Sequence, residues 1–554
     1  MIGLNKIGLN QVQLNRLRLN APFPAYGKMA GGGGSGDGFP QLPGDVTRWH
    51  FGGLTNEMMA AMDDPRIEDA DGKGRFLSFK NFAWKGMSGV GGYGDENHLT
   101  FYKFALDDYV FIAIKPGVKH MNFTFRVTGL QPGNKLTLAF FGTTNTVYGT
   151  WDKDGIYTVK SAVVEVGKPV YFYNGYGSTR GEFTIEILPL YPGALVFDGV
   201  DDYGTCDNFP ILTKEKGYTV VALRQWISMG EGLYGLVSNV KNWFNDGAFV
   251  LEYNSNNATN KFVNRPVSFG NVNIEMDLPN NFTYQTSKSY KGVPITTGSF
   301  KGTNSLFVGK LNNIIGNCSN VAILELVFLD HDATEEELTK IKNYFVKTYP
   351  WLFPDQAWTV TGKTNEDEDR ATIANITGNG NDLILSNFGF AEGSGYNEEG
   401  EYAGYLVTDG VDDRVISSSF TLNKDWTIVG NWKMLQPEAN KSAGIVKQNS
   451  LFIYNHVDGL SISINAAYSS FKLKDIRSVN AICSDGRIYL NDWTEIIDSK
   501  QQTVNESVGT LVIGILGNVY TSLAFKNLGF YNNQILSKDD CIKAYNYLQT
   551  LKAK

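Results

Sequence analysis

Charge is scarce in this 554-residue chain: Asp, Glu, Lys and Arg together make up 19% of it, and the balance is acidic, with a formal net charge of −8. No extended basic face is available, so a general attraction to nucleic acid or to anionic lipid is excluded. Cysteine is equally sparse. Cys206, Cys318, Cys483 and Cys541 stand at wide spacings without a CxxC pair, and His50, His98, His120, His331 and His456 form no clustered ligand pattern. Neither a disulfide framework nor a zinc centre follows, and each cysteine reads as a small buried side chain. Long apolar runs are missing too. No stretch approaches the length of a membrane span, and the N-terminus lacks the unbroken apolar core of a signal peptide, so the expectation is a product made in a cytoplasm without a leader.

What the chain has in quantity is apolar, aromatic and glycine residues: 42% hydrophobic, 13% aromatic and 60 glycines. This describes a folded, turn-rich, β-leaning protein with no long disordered or collagen-like part. Its length exceeds what one hydrophobic core serves, and roughly three or four domains are expected at about 150 residues each.

Residues 1–20 repeat with a period of five, each unit ending in Leu-Asn: Ile2-Gly3-Leu4-Asn5, Ile7-Gly8-Leu9-Asn10, Val12-Gln13-Leu14-Asn15 and Leu17-Arg18-Leu19-Asn20. An odd period alternates the apolar side chains between the faces of a strand and scatters them around a helix. Neither element buries them. The arm therefore needs a bend in each pentad or partner chains on both sides, and it reads as an anchor whose only charges, Lys6, Arg16 and Arg18, are positive. Residues 21–47, with Pro22, Pro24, the run Gly31-Gly32-Gly33-Gly34-Ser35-Gly36, Pro40 and Pro43, read as a hinge.

The body repeats on a larger scale. Gly72-Lys73-Gly74-Arg75-Phe76-Leu77-Ser78-Phe79-Lys80-Asn81-Phe82 aligns without gaps on Gly378-Asn379-Gly380-Asn381-Asp382-Leu383-Ile384-Leu385-Ser386-Asn387-Phe388. Phe197-Asp198-Gly199-Val200-Asp201-Asp202 returns as Thr408-Asp409-Gly410-Val411-Asp412-Asp413, and each is followed by an alternating strand, Tyr218 to Val221 or Trp426 to Val429. Both copies close on a strand (Leu324 to Phe328, Asn527 to Phe530), a capping box (Thr334 with Glu337, Ser537 with Asp540) and an amphipathic helix. Between the shared Ser-Gly (Ser88-Gly89, Ser394-Gly395) and the Asp-Gly-Val-Asp-Asp, the first copy is far longer. The excess reads as a small β-sandwich or jelly roll. The expected domains are an anchor arm 1–20, a linker 21–47, a first module 48–94 plus 191–352, an inserted sandwich 95–190 and a second module 353–554.

The order of Gly-Asn-Gly-Asn-Asp (378–382), Asp-Gly-Val-Asp-Asp, a Ser-Asp-Gly-Arg-Ile-Tyr-Leu-Asn-Asp hairpin (484–492) and a final strand and helix resembles the laminin-G/concanavalin A-like superfamily. The fold this implies is all-β: tandem jelly-roll sandwiches, a smaller sandwich inserted in the first, and a short helix ending each module. The stretch 81–89 together with the pentad arm is similar to structural proteins of tailed phages of gut Bacteroidetes, including crAss-like phages. That likeness implies a virion location, with other virion proteins as partners through residues 1–20, and a head or tail fibre built as a homo-oligomer, with a trimer as the first guess. A free-standing lectin is the alternative.

No catalytic residue, cofactor site or metal ligand is assigned. The glucanase branch of the superfamily sets three carboxylates on one strand, whereas Glu275-Met276-Asp277 runs into Leu278-Pro279 and lacks the third, so a depolymerase is disfavoured. Gly72-Lys73-Gly74 reads as a turn, without the strand and helix of a dinucleotide loop. Asp201-Asp202 and Asp412-Asp413 are placed in turn and cap duty ahead of calcium binding. Trp151, Tyr173, Tyr176 and Trp243, near loops rich in glycine and asparagine, are the candidates for stacking on a host-surface glycan, with sandwich core as the alternative role.

Overall fold

A computed structural model describes residues 38–553 apart from stretches within 85–518, of which 91–100, 175–182, 295–302, 471–478 and 498–505 are the longest. The pentad arm and most of the hinge lie outside the described residues. The chain is all-β, built of antiparallel sheets with helices after the long closing strands, and it divides into two compact units.

Of the described residues, the first unit comprises those within 38–82, 197–276 and 282–344. One of its sheets centres on the strand Asn320–Leu329, flanked by Thr219–Ser228 and by Val46–His50; Phe282–Thr286 continues the sheet beyond Thr219–Ser228. The other runs in the order Val272–Glu275, Lys261–Pro266, Phe249–Asn254, Tyr234–Ser238, Leu306–Val308, Tyr203–Cys206, Phe76–Lys80, Arg66–Glu68. Apolar side chains alternate inward from both sheets, and Trp49, Phe249 and Phe328 are buried in the core.

The second unit comprises residues 83–196, 277–281 and 345–554. Its larger sandwich repeats the plan: Leu523–Asn532 is flanked by Trp426–Met434 and Gln356–Thr359, and the facing eight-stranded sheet runs from Thr372–Ile373 to Ala467–Ser470. The segment between Phe101 and Ile187 supplies two four-stranded sheets. It joins the larger sandwich through specific contacts. Thr124 Oγ1 donates to Asn546 Oδ1 at 3.2 Å, Asn546 Nδ2 donates to the Pro189 carbonyl at 3.1 Å, and the buried indole of Trp493 donates to Thr158 Oγ1 at 3.2 Å.

The internal repeat holds at the level of single pairings. Trp49 stands opposite Leu326 and Trp358 opposite Leu528, and each tryptophan meets a phenylalanine edge-on, Phe328 at 5.7 Å and Phe530 at 6.0 Å. Both closing strands run longer than the apolar segments in the sequence suggest: pairing on two sides satisfies the backbone, and a polar position such as Asn527 is buried because its side-chain amide donates to the Leu548 carbonyl at 3.2 Å and accepts from Gln549 Nε2 at 3.4 Å. Both caps form, the first as a reciprocal box. Glu337 accepts from Thr334 N at 2.8 Å while Thr334 Oγ1 accepts from Glu337 N at 3.2 Å, starting the helix Glu335–Thr348. Ser537 Oγ accepts from Asp540 N at 3.1 Å, starting Lys538–Thr550. Such a cap is worth about 1 kcal/mol.

The first unit also buries an ion pair between its two sheets. Arg224 forks onto Glu252, Nε to Oε2 at 2.7 Å and NH2 to Oε1 at 2.6 Å, and the Trp226 indole and Tyr290 hydroxyl also donate to the carboxylate at 2.9 Å each. Glu252 occupies a bulge with φ +50°, a conformation the network must hold against the ordinary preference of its backbone. Burial alone would push the carboxyl up, but the Arg224 guanidinium overrides it and holds it at about 2.

Glu252→Gln, which keeps the shape but leaves the buried guanidinium uncompensated, is expected to lower stability by about 3–5 kcal/mol in denaturant titration. The sign in pH follows from a depressed folded pKa: the contribution is complete above the ordinary 4.5 of a glutamate and is lost as pH falls toward about 2. Glu252→Gln is therefore expected to remove part of the acid sensitivity of unfolding.

Candidate functional site

Two features of the fold gather side chains that could meet a ligand: the duplicated aspartate loops, and an aromatic, basic recess in the second unit.

The aspartate loops are built alike. Asp198 Oδ1 accepts from Val200 N at 2.7 Å and Asp201 N at 3.3 Å; Asp409 Oδ1 accepts from Val411 N and Asp412 N at the same two distances. Asp202 Oδ2 then accepts from Asp198 N at 3.2 Å, and Asp413 Oδ2 from Asp409 N at 2.8 Å. An asparagine in left-handed conformation latches each loop from the neighbouring strand: Asn81 (φ +67°) and Asn387 (φ +69°) both donate to a loop carbonyl at 3.0 Å. The glycine within each loop has φ near +80°, and a Cβ there would strike Asn320 or Ser522. This leaves a valine at each tip, 77% exposed at Val200 and 70% at Val411.

The three carboxylates of each loop converge within 4.8 Å, close enough to share a cation. Their oxygens nevertheless hold the turn: Asp198 and Asp409 each take two backbone amides, and Asp413 takes a third amide and the Ser394 hydroxyl at 3.0 Å. Burial, opposed by those hydrogen bonds and reinforced by Asp409 and Asp412, raises the Asp413 carboxyl to about 6.

The recess is formed by Tyr402, Gly404, Tyr405, Lys433 and Lys526. Tyr405, Val407 and Ala524 make a small apolar cluster against which Tyr402 packs. Lys433 Nζ lies 5.1 Å from the Tyr402 ring centre and Lys526 Nζ 5.8 Å from that of Tyr405. The Tyr405 hydroxyl donates to Asn431 Oδ1 at 2.9 Å, fixing its ring. Burial of Lys526 pulls its amine down to about 8. The sequence reading missed this group. Its signal was a lysine inside a closing strand at a place where the first copy has Leu324.

Of the stacking candidates, Trp151 packs edge-on against Phe125 at 4.9 Å and beside Tyr157 at 5.2 Å, in an aromatic cluster of the smaller sandwich. Tyr173 lies in the strand Val170–Asn174 opposite Tyr109 and Thr137. Tyr176 and Trp243 lie outside the described residues, as does Asp277, while Glu275 ends the edge strand Val272–Glu275 opposite Lys261. The structure does not bring the four aromatic candidates together as one described surface.

No family model matches the chain, and no curated protein matches it either. Among solved structures, it is similar to the botulinum neurotoxin serotype D binding domain (8% identity, 62% of this chain and 89% of that one, TM-score 0.25). It is also similar to the binding domain of botulinum neurotoxin DC in complex with SialylT (10%, 60% and 89%, 0.24) and to the Trypanosoma rangeli sialidase (11%, 81% and 69%, 0.26). Likenesses at this level carry nothing about ligand or activity. The class of the chain, an all-β assembly of antiparallel sandwiches, is read from its own sheets.

Substituting Asp413→Asn tests the loop. A carboxyl raised in the folded state favours folding below its ordinary 3.8, and that advantage is lost as pH rises through about 6. Across this window the melting temperature of the wild type is expected to fall relative to that of Asp413→Asn. A calcium chelator is expected to leave the wild-type melting temperature unchanged.

Proposed function

We propose that this chain is a non-catalytic display protein of a virion, a head or tail fibre component held by residues 1–20, whose sandwich modules engage host-surface glycan. The observation that carries the reading is duplication. One sandwich plan is built twice, with the same aspartate loop, the same latch and the same capped helix, behind an arm whose four pentads cannot bury their own apolar side chains. An arm of that kind needs a second surface. A particle to which the chain is anchored, or symmetry mates in an oligomer, would provide it.

Glycan engagement is supported by the recess of the second unit, where the half-buried ring of Tyr402, an exposed glycine and two lysines adjoin over the buried Tyr405, a composition that suits one aromatic face with polar groups around it. A non-enzymatic role accords with Glu275, which stands opposite a lysine on an edge strand and is followed by Pro279 before a third carboxylate can join it.

Light scattering on the full chain and on a variant lacking residues 1–20 tests the arm. The full chain is expected to be a defined oligomer, or to become one with its particle partner, and the truncated chain a monomer. Two stable monomers, with no particle protein retained by the full chain, would favour a free-standing lectin instead.

A further inference from the structure

The two sandwiches place different residues at one equivalent backbone position. In each, the long closing strand carries an extra residue against its neighbour. Leu324 falls between the pairings Leu223 with Glu325 and Arg224 with Ile323; Lys526 falls between Asn431 with Asn527 and Trp432 with Phe525. The carbonyl of each extra residue accepts a hydrogen bond from just past the flanking strand, from Phe51 N at 3.1 Å and Val360 N at 2.9 Å. The same bulge is therefore made twice, and in the first unit it is made with leucine.

A lysine there is not something the fold requires. It is 7% exposed, and its ammonium is deprived of water without compensation: among the described residues no carboxylate lies near enough to raise its pKa and no acceptor takes a hydrogen bond from Nζ. Its Nζ lies 5.8 Å from the ring centre of Tyr405. Gly404 is exposed, with φ +76°, and a Cβ built on it would meet a single atom within 4 Å, Lys526 Nζ at 3.8 Å. The amine is thus reached through the space above a residue without a side chain. Tyr402, half-buried, and Lys433 border the same space.

Among the described residues, an ammonium without a carboxylate partner, a second lysine at the rim and the half-buried ring of Tyr402 complement a ring-shaped ligand with one apolar face and one anionic group; the Tyr405 ring is itself buried, 2% exposed, and lines the ammonium only. We infer that the recess of Gly404, Tyr405 and Lys526 binds the carboxylate of an acidic saccharide, one site per chain, since Leu324 removes the charge from the equivalent place. This inference rests on the glycan reading above and names the class of sugar. The carboxylate replaces the water that burial has taken from the ammonium, and the half-buried Tyr402 ring takes the apolar face of the sugar.

The test uses the full chain, as wild type, Lys526→Leu and Lys526→Met, titrated calorimetrically with oligosaccharides ending in glucuronic acid or N-acetylneuraminic acid. A galactose-terminated oligosaccharide and sodium acetate serve as comparisons. The wild type is expected to bind an acidic probe at least about tenfold more tightly than the neutral one, and both variants to lose that preference. Lys526→Leu is expected to melt no lower than the wild type, because leucine is what the first unit builds there. Undiminished binding of acidic probes by both variants, or binding of the neutral probe alone, would overturn the site while leaving the glycan reading standing. Acetate bound as tightly as the sugars would reduce the site to a bare anion pocket and overturn the saccharide. No binding to any glycan would remove the site and the glycan reading together.

Discussion

Each sandwich depends on one strand that is paired on both edges over most of its length. Asn320–Leu329 and Leu523–Asn532 are buried at nearly every residue, and each receives a ten- or nine-residue strand on one side and a short strand, Val46–His50 or Gln356–Thr359, on the other. A strand so placed has no free edge, and all its amides and carbonyls must find partners inside the sheet. This constraint orders the rest. The short flanking strand brings a tryptophan to a phenylalanine of the closing strand, the bulge turns the strand, and the helix that follows starts at a cap instead of leaving unpaired amides.

The duplicated loops show a similar economy. A tight Asp-Gly-Val-Asp-Asp turn needs acceptors for amides that no strand can pair, and the aspartates supply them. Burying one of these carboxylates has a cost: Asp413 is raised chiefly by its burial, with a smaller contribution from Asp409 and Asp412 beside it. Convergence of acidic groups here is explained by the turn they build.

Much of this was legible in the sequence. The repeat, the alternation of the strands, the capping boxes and the turn duty of the aspartates each have a local cause, and a local cause leaves a local pattern. The Arg224–Glu252 pair was not legible, because its partners come from facing sheets 28 positions apart and Glu252 reaches Arg224 only through a bulge. Lys526 escaped for a related reason. In a single strand it is one polar residue in an alternating run, and its burial becomes apparent only when pairing on both sides is known. Trp151 shows the opposite error of emphasis. A tryptophan near glycines suggests a platform, whereas Gly149 is close to Trp151 because the indole folds back over it within the sheet.

The divergence between the copies is most informative where charge enters the interior. On the strand beside each bulge, the first unit has Arg224 and the second Trp432. At the bulge itself the first has Leu324 and the second Lys526. Each unit therefore buries a cation close to the same bulge, but among the described residues only the first provides a matched anion, along with a tyrosine and a tryptophan that bond to the carboxylate. A buried charge whose counter-ion comes from the same chain is closed, and its effect ends in stability and specificity of packing. A buried charge left beside an exposed glycine is open toward solvent, and whatever anion reaches it recovers the desolvation that folding has already imposed. Two copies of one fold thus differ in whether the described residues supply the balancing charge at this bulge: Glu252 does in the first, and no described carboxylate does in the second.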